Sequence, residues 1–209
     1  MSFPNFVKDH DFKNLMQLML NKNQTQRFSK LEQIQSHIWF KDFSWDDLIS
    51  LNMKPAYMPK IESNENKCET KPYLDYIKGK ELFDVIRDIG LLNKFQTQFY
   101  GASIMLAVQY LHERKFIYRD IKPENIMVLG NGFIKLIDFG TAKAITDRTK
   151  TIIGTPHYMA PEVILGEGYS FKVDFWSIAI CMYEFMCGGV PFGENHEEAM
   201  DVYLAIINE

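Results

Sequence analysis

The chain contains few cysteines, and those it has are far apart. Cys68, Cys181 and Cys187 are the only three among 209 residues, and no C-x-x-C spacing occurs. An odd number of widely spaced cysteines favours neither a disulfide framework nor a zinc cluster. We therefore expect reduced thiols and a cytoplasmic protein.

The sequence also lacks long apolar runs, basic clusters and the layout of an N-terminal signal. The most apolar stretch, residues 175–190, is shorter than a membrane span and contains Glu184. The 23 basic and 27 acidic residues give a net charge of −4, which argues against a nucleic-acid partner. The 46% hydrophobic content is enough for a globular domain with a sizeable core.

Hydrophobic periodicity predicts a mainly helical α+β protein. Helices are expected over 12–20, 81–89, 95–111, 173–186 and 197–207, with further helix starts at a Ser29-x-x-Glu32 capping box and at Ser44. Two short β-type runs, at 125–129 and 133–137, are joined by Gly130-Asn131-Gly132 and predict a tight hairpin.

The string YRDIKPEN, followed after this hairpin by the string DFG, carries groups suited to phosphoryl transfer. Such a reaction needs a carboxylate at the acceptor hydroxyl, positive charge at the phosphoryl group and oxygen ligands for Mg²⁺. Asp120 would orient or deprotonate the hydroxyl, and Lys122 would neutralise charge. Asn125 and Asp138 would bind the metal, so ATP and Mg²⁺ are the expected cofactors.

Four strings in order, YRDIKPEN, DFG, GTPHYMAPE and DFWS, resemble the eukaryotic protein kinases. Tyr118 in place of the commoner histidine, the aromatic segment 39–45 and the prolines around Tyr57 resemble the AGC group, most of all the cGMP-dependent or cAMP-dependent kinases. This resemblance implies the fold of the mainly α-helical large lobe, with its short catalytic-loop hairpin.

The resemblance also implies ligand contacts. Beside the metal-binding pair, ATP contacts are implied for Asp75, Glu81 and Met127. Substrate contacts are implied for Glu81, Glu124, Glu184 and Thr155, which suits serine or threonine substrates with arginine or lysine upstream. A solvated surface carboxylate is the alternative for each glutamate, and it is weakest for Glu184, which lies inside an apolar helix.

Regulatory and architectural roles follow from the same resemblance. Thr151 matches the phosphothreonine of the activation loop, whose charge Arg119 would receive. The alternative is an unmodified, exposed threonine. Glu162 would pair with Arg27 as a structural bridge, and Asp174 would anchor the backbone of the catalytic loop.

The order of the segments differs from that of the family. Residues 1–61 resemble the C-terminal part of the large lobe and the tail, residues 62–71 form a polar junction, and residues 72–209 resemble the region from the hinge to the helix after Glu197. We therefore expect a circularly permuted large lobe without the N-terminal β-rich lobe, because no G-x-G-x-x-G loop and no strand lysine precede the hinge. A small lobe or another protein is expected to cover the exposed hinge face.

Three functions stay open at this point. The first is a serine/threonine kinase-type domain, including one whose reading frame joins parts of two kinase genes. Without the glycine-rich loop and strand lysine, this chain alone is expected to turn over very weakly or not at all. The second is a catalytically inactive, permuted pseudokinase that acts as a protein-binding module. The third is a split enzyme completed by a small lobe in trans.

Overall fold

The computed structural model describes residues 1–60 and 76–209. The predicted ATP contact Asp75, the cysteine Cys68 and the predicted junction 62–71 lie outside these residues. Cys181 and Cys187 are buried and carry free thiols. Within the described part, no helix combines the length and the apolar character needed to cross a bilayer.

Helices are the main regular secondary structure of the described chain. They are α1 (His10–Met19), α2 (Leu31–Gln35), α3 (Trp45–Ile49), α4 (Leu82–Ile89), α5 (Lys94–Glu113), α6 (Pro161–Ile164), α7 (Lys172–Cys187) and α8 (Ala199–Asn208), with 3₁₀ turns at Ile38–Phe40, Pro123–Asn125 and Pro156–Tyr158. The five helices predicted from periodicity are confirmed, and their ends lie within two residues of those predicted.

The start of α2 differs from the prediction. The helix begins at Leu31, because Leu31 and Ile34 are buried one turn apart, and its N-cap Lys30 makes no side-chain cap. The amide of Ser29 donates to Oε1 of Gln33 at 3.2 Å, so the predicted capping box with Glu32 is wrong. The predicted start at Ser44 is confirmed, since its hydroxyl accepts from the amide of the third helical residue of α3.

The strands form two small antiparallel sheets that hold the loops of the site. They are β1 (Gly79–Glu81), β2 (Phe116–Ile117), β3 (Ile126–Leu129), β4 (Ile134–Leu136) and β5 (Lys143–Ala144). One sheet has the order β1-β3-β4, and β2 pairs with β5 in the other. The hairpin between β3 and β4 is the one predicted. At its base the amide of Ile137 donates to the carbonyl of Asn125 at 3.0 Å, so the chain before the hairpin meets the chain after it.

The core is centred on α7, which is buried on nearly all sides and packs along α5. Residues 1–60 pack onto these same helices. For example, α1 contacts α7, and the side-chain amide of Gln98 on α5 donates to the carbonyl of Trp39. Asp9 caps α1 and also accepts from the Trp39 indole nitrogen at 3.0 Å. Residues 1–60 and residues 76–209 thus share one core.

Replacing Gly132 in the hairpin turn with alanine is expected to destabilise the fold. An added Cβ would lie 2.3 Å from Cβ of Pro55 and 2.6 Å from the carbonyl oxygen of Tyr57. The positive φ of 82° adds backbone strain. Gly166→Ala is the matched control, because Gly166 has a φ of 66° but nothing within 4 Å of an added Cβ.

Urea unfolding of both variants separates the two effects. Gly166→Ala should lower the free energy of unfolding by about 1–2 kcal/mol, the cost of a left-handed residue with a side chain. Gly132→Ala should lower it by about 1–3 kcal/mol more, as expected for overpacking. Equal losses in the two variants would mean that the segment at Pro55 does not press on the hairpin turn.

Candidate active site

The carboxylate of Asp120 lies at the centre of a compact polar cluster. Its Oδ1 accepts from the amide of Thr155 at 3.1 Å and from the Thr155 hydroxyl at 2.8 Å. Its Oδ2 accepts from Nδ2 of Asn125 at 2.9 Å and lies 3.3 Å from Nζ of Lys122. The Asp120 side chain is only 11% exposed, so both oxygens are held in fixed directions at the edge of the solvent.

Lys122 closes this cluster. Its Nζ donates to the Thr155 hydroxyl at 2.9 Å, so one hydroxyl bridges the lysine and the carboxylate. The Asn125 amide also donates to the backbone carbonyl of Asp120 at 2.8 Å. A carboxylate beside an ammonium group can orient a hydroxyl and offset negative charge on a phosphoryl group. The structure thus brings together four of the predicted residues: Asp120, Lys122, Asn125 and Thr155.

Asp138 follows the hairpin in a strained backbone conformation. Its φ is 57°, which is uncommon for a residue with a Cβ. Residues in such strained conformations are found most often at functional sites. Its Oδ1 accepts from the amide of Gly140 at 3.0 Å. The base of the hairpin, formed by Asn125 and Ile137, brings the stretch that carries Asp138 next to the catalytic loop.

The donor atoms of this region fit a Mg²⁺–nucleotide complex. Among the described residues, these side chains make their hydrogen bonds through Nδ2 of Asn125 and Oδ1 of Asp138, which leaves one hard oxygen on each residue. No group of three or more His, Cys, Asp or Glu side chains there is arranged to hold a metal. A two-residue set is nevertheless ordinary for Mg²⁺, which keeps water and phosphate oxygens as its other ligands.

Two of the residues predicted to contact ATP are cross-strand neighbours. Glu81 on β1 pairs with Met127 on β3 in the antiparallel register. Met127 is half-buried, and its Cε would lie 3.1 Å from a Cβ added at Gly79. Glu81 is exposed and precedes the first turn of α4. The β1-β3-β4 sheet therefore presents a thioether and a carboxylate next to each other.

Asp174 on α7 is a buried hub for the catalytic loop. Its Oδ2 accepts from the amide of Tyr118 at 3.0 Å, and its Oδ1 accepts from the amide of Arg119 at 2.9 Å. Nε2 of His112, at the end of α5, lies 2.7 Å from Oδ2. Sequence reasoning missed His112, since a lone histidine in an apolar helix carries no motif. Its position six residues before Tyr118 was the one available signal.

Glu124 and Glu184 form a second acidic region. The hydroxyl of Tyr158 donates to Oε2 of Glu184 at 2.7 Å. Burial raises the pKa of the Glu184 carboxyl; the Tyr158 hydrogen bond lowers this pKa and the neighbouring Glu124 raises it further. Oε2 of Glu124 is buried and has no hydrogen-bond partner among the described residues. Sequence reasoning missed Tyr158 here, because its contact with α7 spans 26 residues.

Arg119 and Thr151 are not joined by a hydrogen bond in the described chain. Thr151 is exposed, and its carbonyl accepts from the Tyr169 hydroxyl. Arg119 donates from Nε to the carbonyl of Thr141 at 2.7 Å, and its Nη1 is buried with no hydrogen-bond partner within 1–60 and 76–209. Nζ of Lys143 donates to a neighbouring threonine hydroxyl in the same segment. Nη1 of Arg119, on the catalytic loop, is thus an unpartnered cationic donor close to Thr141 among the described residues.

Arg27 and Glu162 form a buried, bidentate ion pair. Nη1 lies 2.6 Å from Oε1 and Nη2 lies 2.9 Å from Oε2. Nε of Arg27 donates to the carbonyl of Asn21 at 2.7 Å, and the guanidinium lies 4.8 Å from the ring centroid of Trp176. The pair links the segment before α2 to the start of α6.

A carboxylate, a lysine and an asparagine on one loop, with an aspartate beyond a hairpin, are the groups that a phosphoryl-transfer domain requires. A family model described as the protein kinase domain matches residues 59–208. The chain therefore belongs to the protein kinase domain family, whose members generally use ATP and Mg²⁺.

The relatives identify the branch as AGC-like serine/threonine kinases. The chain is 53% identical over 133 residues to a cGMP-dependent protein kinase of Eimeria tenella, a match that covers 64% of this chain and 13% of the relative. It is 35% identical over 196 residues to cAMP-dependent protein kinase type 3 of Saccharomyces cerevisiae, covering 91% of this chain and 49% of the relative. The chain thus spans less than half the length of these relatives.

Proposed function

We propose that this chain is a serine/threonine kinase-type domain that transfers the γ-phosphate of ATP to hydroxyl groups of basic protein substrates. The observation that supports the proposal most is the Asp120 carboxylate, held by the Thr155 amide and hydroxyl beside the Lys122 ammonium. This arrangement leaves a fixed acceptor and a fixed positive charge at one place. Both are needed where a hydroxyl attacks a phosphoryl group.

In the proposed reaction, the substrate hydroxyl donates a hydrogen bond to Asp120, which aligns the hydroxyl oxygen and takes up its proton. Lys122 offsets negative charge on the transferring group, and Thr155 keeps the two side chains in register. When bound, the Mg²⁺–ATP complex would supply the phosphoryl group and neutralise the charge of its phosphates. Asn125 and Asp138 would hold the metal, while Glu81 and Met127 would contact the nucleotide.

The acidic region supports a preference for basic substrates. Glu184 is partly desolvated and Glu124 has a buried, unpartnered oxygen. A buried carboxylate without a donor is costly, and a substrate guanidinium would supply donors to both carboxylates. We infer that an arginine upstream of the phosphorylated residue binds here.

Glu184→Gln is expected to weaken binding of an arginine-rich peptide by about 10-fold or more, the scale of one lost charge-assisted hydrogen bond. Binding to the unsubstituted chain should also weaken as the pH falls, because it needs the ionised carboxyl. Since the pKa of Glu184 is raised, this loss should begin at a higher pH than for an exposed glutamate. In Glu184→Gln, peptide affinity should no longer fall over this pH range. Fluorescence anisotropy of a labelled peptide measures the affinity.

Glu113→Gln is the matched control for that experiment, because Glu113 is exposed at the end of α5. It removes the same charge and should leave affinity and pH profile unchanged. Equal weakening by both variants would assign the preference to net charge and remove the case for a specific arginine site.

We also infer that Thr151 is a regulatory phosphorylation site. Its side chain is exposed to a modifying enzyme. The buried, unpartnered Nη1 of Arg119 on the catalytic loop and the ammonium of Lys143 in the activation segment supply positive charge. A phosphate on Thr151 would draw these donors together and order the activation segment.

The permuted order and the covered hinge face stay predictions, as does the cytoplasmic location. Packing of residues 1–60 onto α5 and α7 supports the assignment of that segment to the large lobe. Tyr76 is 83% exposed and Phe139 is 51% exposed, which supports a partner that would cover such side chains. The same exposure favours the second function, a non-catalytic binding module.

Phosphate transfer from MgATP to an arginine-rich serine peptide tests the proposal. The 209-residue chain is assayed alone and with an added AGC-type small lobe that carries the glycine-rich loop and strand lysine. We expect little or no transfer by the chain alone and measurable transfer by the mixture. Peptide binding without transfer in either case would favour the binding module instead.

A further inference from the structure

Residues 137–141 contact the catalytic loop at every second position. The hydroxyl of Tyr118 donates to the carbonyl of Ile137. The ring of Phe139 packs edge-to-face on the Tyr118 ring, with 5.4 Å between centroids. The hydroxyl of Thr141 donates to the Tyr118 carbonyl at 2.9 Å. One tyrosine therefore receives three successive attachments from the segment that carries Asp138.

Thr141 contacts the catalytic loop through two of its own groups, its hydroxyl and its backbone carbonyl. Besides its hydroxyl contact, its carbonyl accepts from Nε of Arg119 at 2.7 Å. The two hydrogen bonds lead to adjacent residues of the catalytic loop, Tyr118 and Arg119. Two such hydrogen bonds restrict both the translation and the rotation of Thr141 relative to the catalytic loop, whereas a single bond would still allow rotation.

The backbone on both sides of this contact is strained. Asp138 has a φ of 57° and Arg119 has a φ of 74°, and a residue with a Cβ leaves this region unless its neighbours hold it. Asp138 lies between the attachment at Ile137 and that at Thr141. Phe139 is half exposed and so provides little burial, which leaves the Thr141 hydrogen bonds as the firm attachment on the C-terminal side.

We propose that Thr141 is a positioning residue, whose hydroxyl bond to the Tyr118 carbonyl holds Asp138 in place relative to Asp120. The role assigned to Asp138 rests on the proposed function, whereas the attachment itself does not. Loss of the hydroxyl should therefore loosen residues 138–145 whether or not the chain transfers phosphate.

Hydrogen exchange by mass spectrometry is the primary test. Thr141→Val keeps the shape of the side chain but removes the hydroxyl, and Thr141→Ser keeps the hydroxyl. Exchange of the peptide that covers 138–145 should quicken by about 3- to 10-fold in the valine variant, the change expected for one lost hydrogen bond. The serine variant should match the unsubstituted chain, and α1 serves as the reference peptide in each.

Kinetics of the mixture with the small lobe provide the second test. Thr141→Val should lower kcat about 10-fold with little change in KM for the peptide, because the substrate site is untouched while the metal-binding aspartate is misplaced. Thr141→Ser should restore kcat. If the mixture has no activity at all, the proposed function fails, but the exchange experiment still decides on the attachment.

Either of two results would overturn the proposal. The first is exchange over 138–145 that is equal in the valine variant and the unsubstituted chain. The second is a serine variant that loosens as much as Thr141→Ala, since these two differ only in the hydroxyl. This second comparison decides the matter even if the valine variant does not fold.

Discussion

Replacing Asp120 with asparagine is expected to reduce phosphate transfer by about 10²- to 10⁴-fold, the usual contribution of a positioned acid or base. The amide is nearly isosteric but cannot take up the proton of the substrate hydroxyl. The substitution also removes a hydrogen-bond acceptor, because the carboxylate Oδ2 accepts from Nδ2 of Asn125 and lies beside Nζ of Lys122. An amide nitrogen there would face two donors.

Transfer to the arginine-rich peptide, measured with the small lobe added, checks this expectation. Asp147→Asn is the control, since Asp147 is an exposed aspartate of the activation segment and its replacement removes the same charge. Peptide binding by Asp120→Asn should stay near that of the unsubstituted chain. An asparagine variant that keeps a tenth or more of the activity would remove Asp120 from its assigned role.

Replacing Arg27 with methionine is expected to lower the free energy of unfolding by about 3–5 kcal/mol. The change leaves the carboxylate of Glu162 buried without its partner, while the side chains of the pair are 0% and 2% exposed. Methionine retains much of the apolar stem that packs on Trp176, so the loss reports mainly on the stranded charge. Urea unfolding followed by circular dichroism measures it.

A double variant, Arg27→Met with Glu162→Leu, provides the internal comparison. It removes both charges and should recover a large part of the stability, because breaking a buried pair costs more than replacing it. Lys80→Met is the surface control: Lys80 and Asp88 form an ion pair in which both side chains are well exposed, and stability should hardly change. A double variant as unstable as the single one would mean that the ion pair itself stabilises the fold.

The elements of the fold were predictable where a local pattern determines them. The long apolar periodicity of α5 and α7 located both helices, and the cap at Ser44 depends on residues three apart. The start of α2 was not predictable in this way. A capping box at Ser29 is chemically sound, but burial of Leu31 against the core determined where the helix begins.

The candidate site could likewise be predicted only where its residues lie close together in the sequence. Asp120, Lys122 and Asn125 lie within six residues of each other, and the order of the strings YRDIKPEN, DFG, GTPHYMAPE and DFWS indicated their joint role. The partners of this loop could not be found by spacing, since His112 meets Asp174 across 62 residues and Tyr158 meets Glu184 across 26. Pairing of Arg27 with Glu162 was expected only from the family resemblance, because no periodicity connects residues 135 positions apart.

Packing of the first 60 residues onto the last helices has a consequence for biosynthesis. Arg27 leaves the ribosome 135 residues before Glu162, and Ser2 leaves 181 residues before Tyr183, whose hydroxyl bonds to its carbonyl. At about 5–20 residues per second, the early segment waits roughly 7 to 36 seconds for the surfaces that bury it. Its apolar side chains, including those of α1, are uncovered during that interval. We therefore expect the nascent chain to be prone to aggregation until α7 emerges.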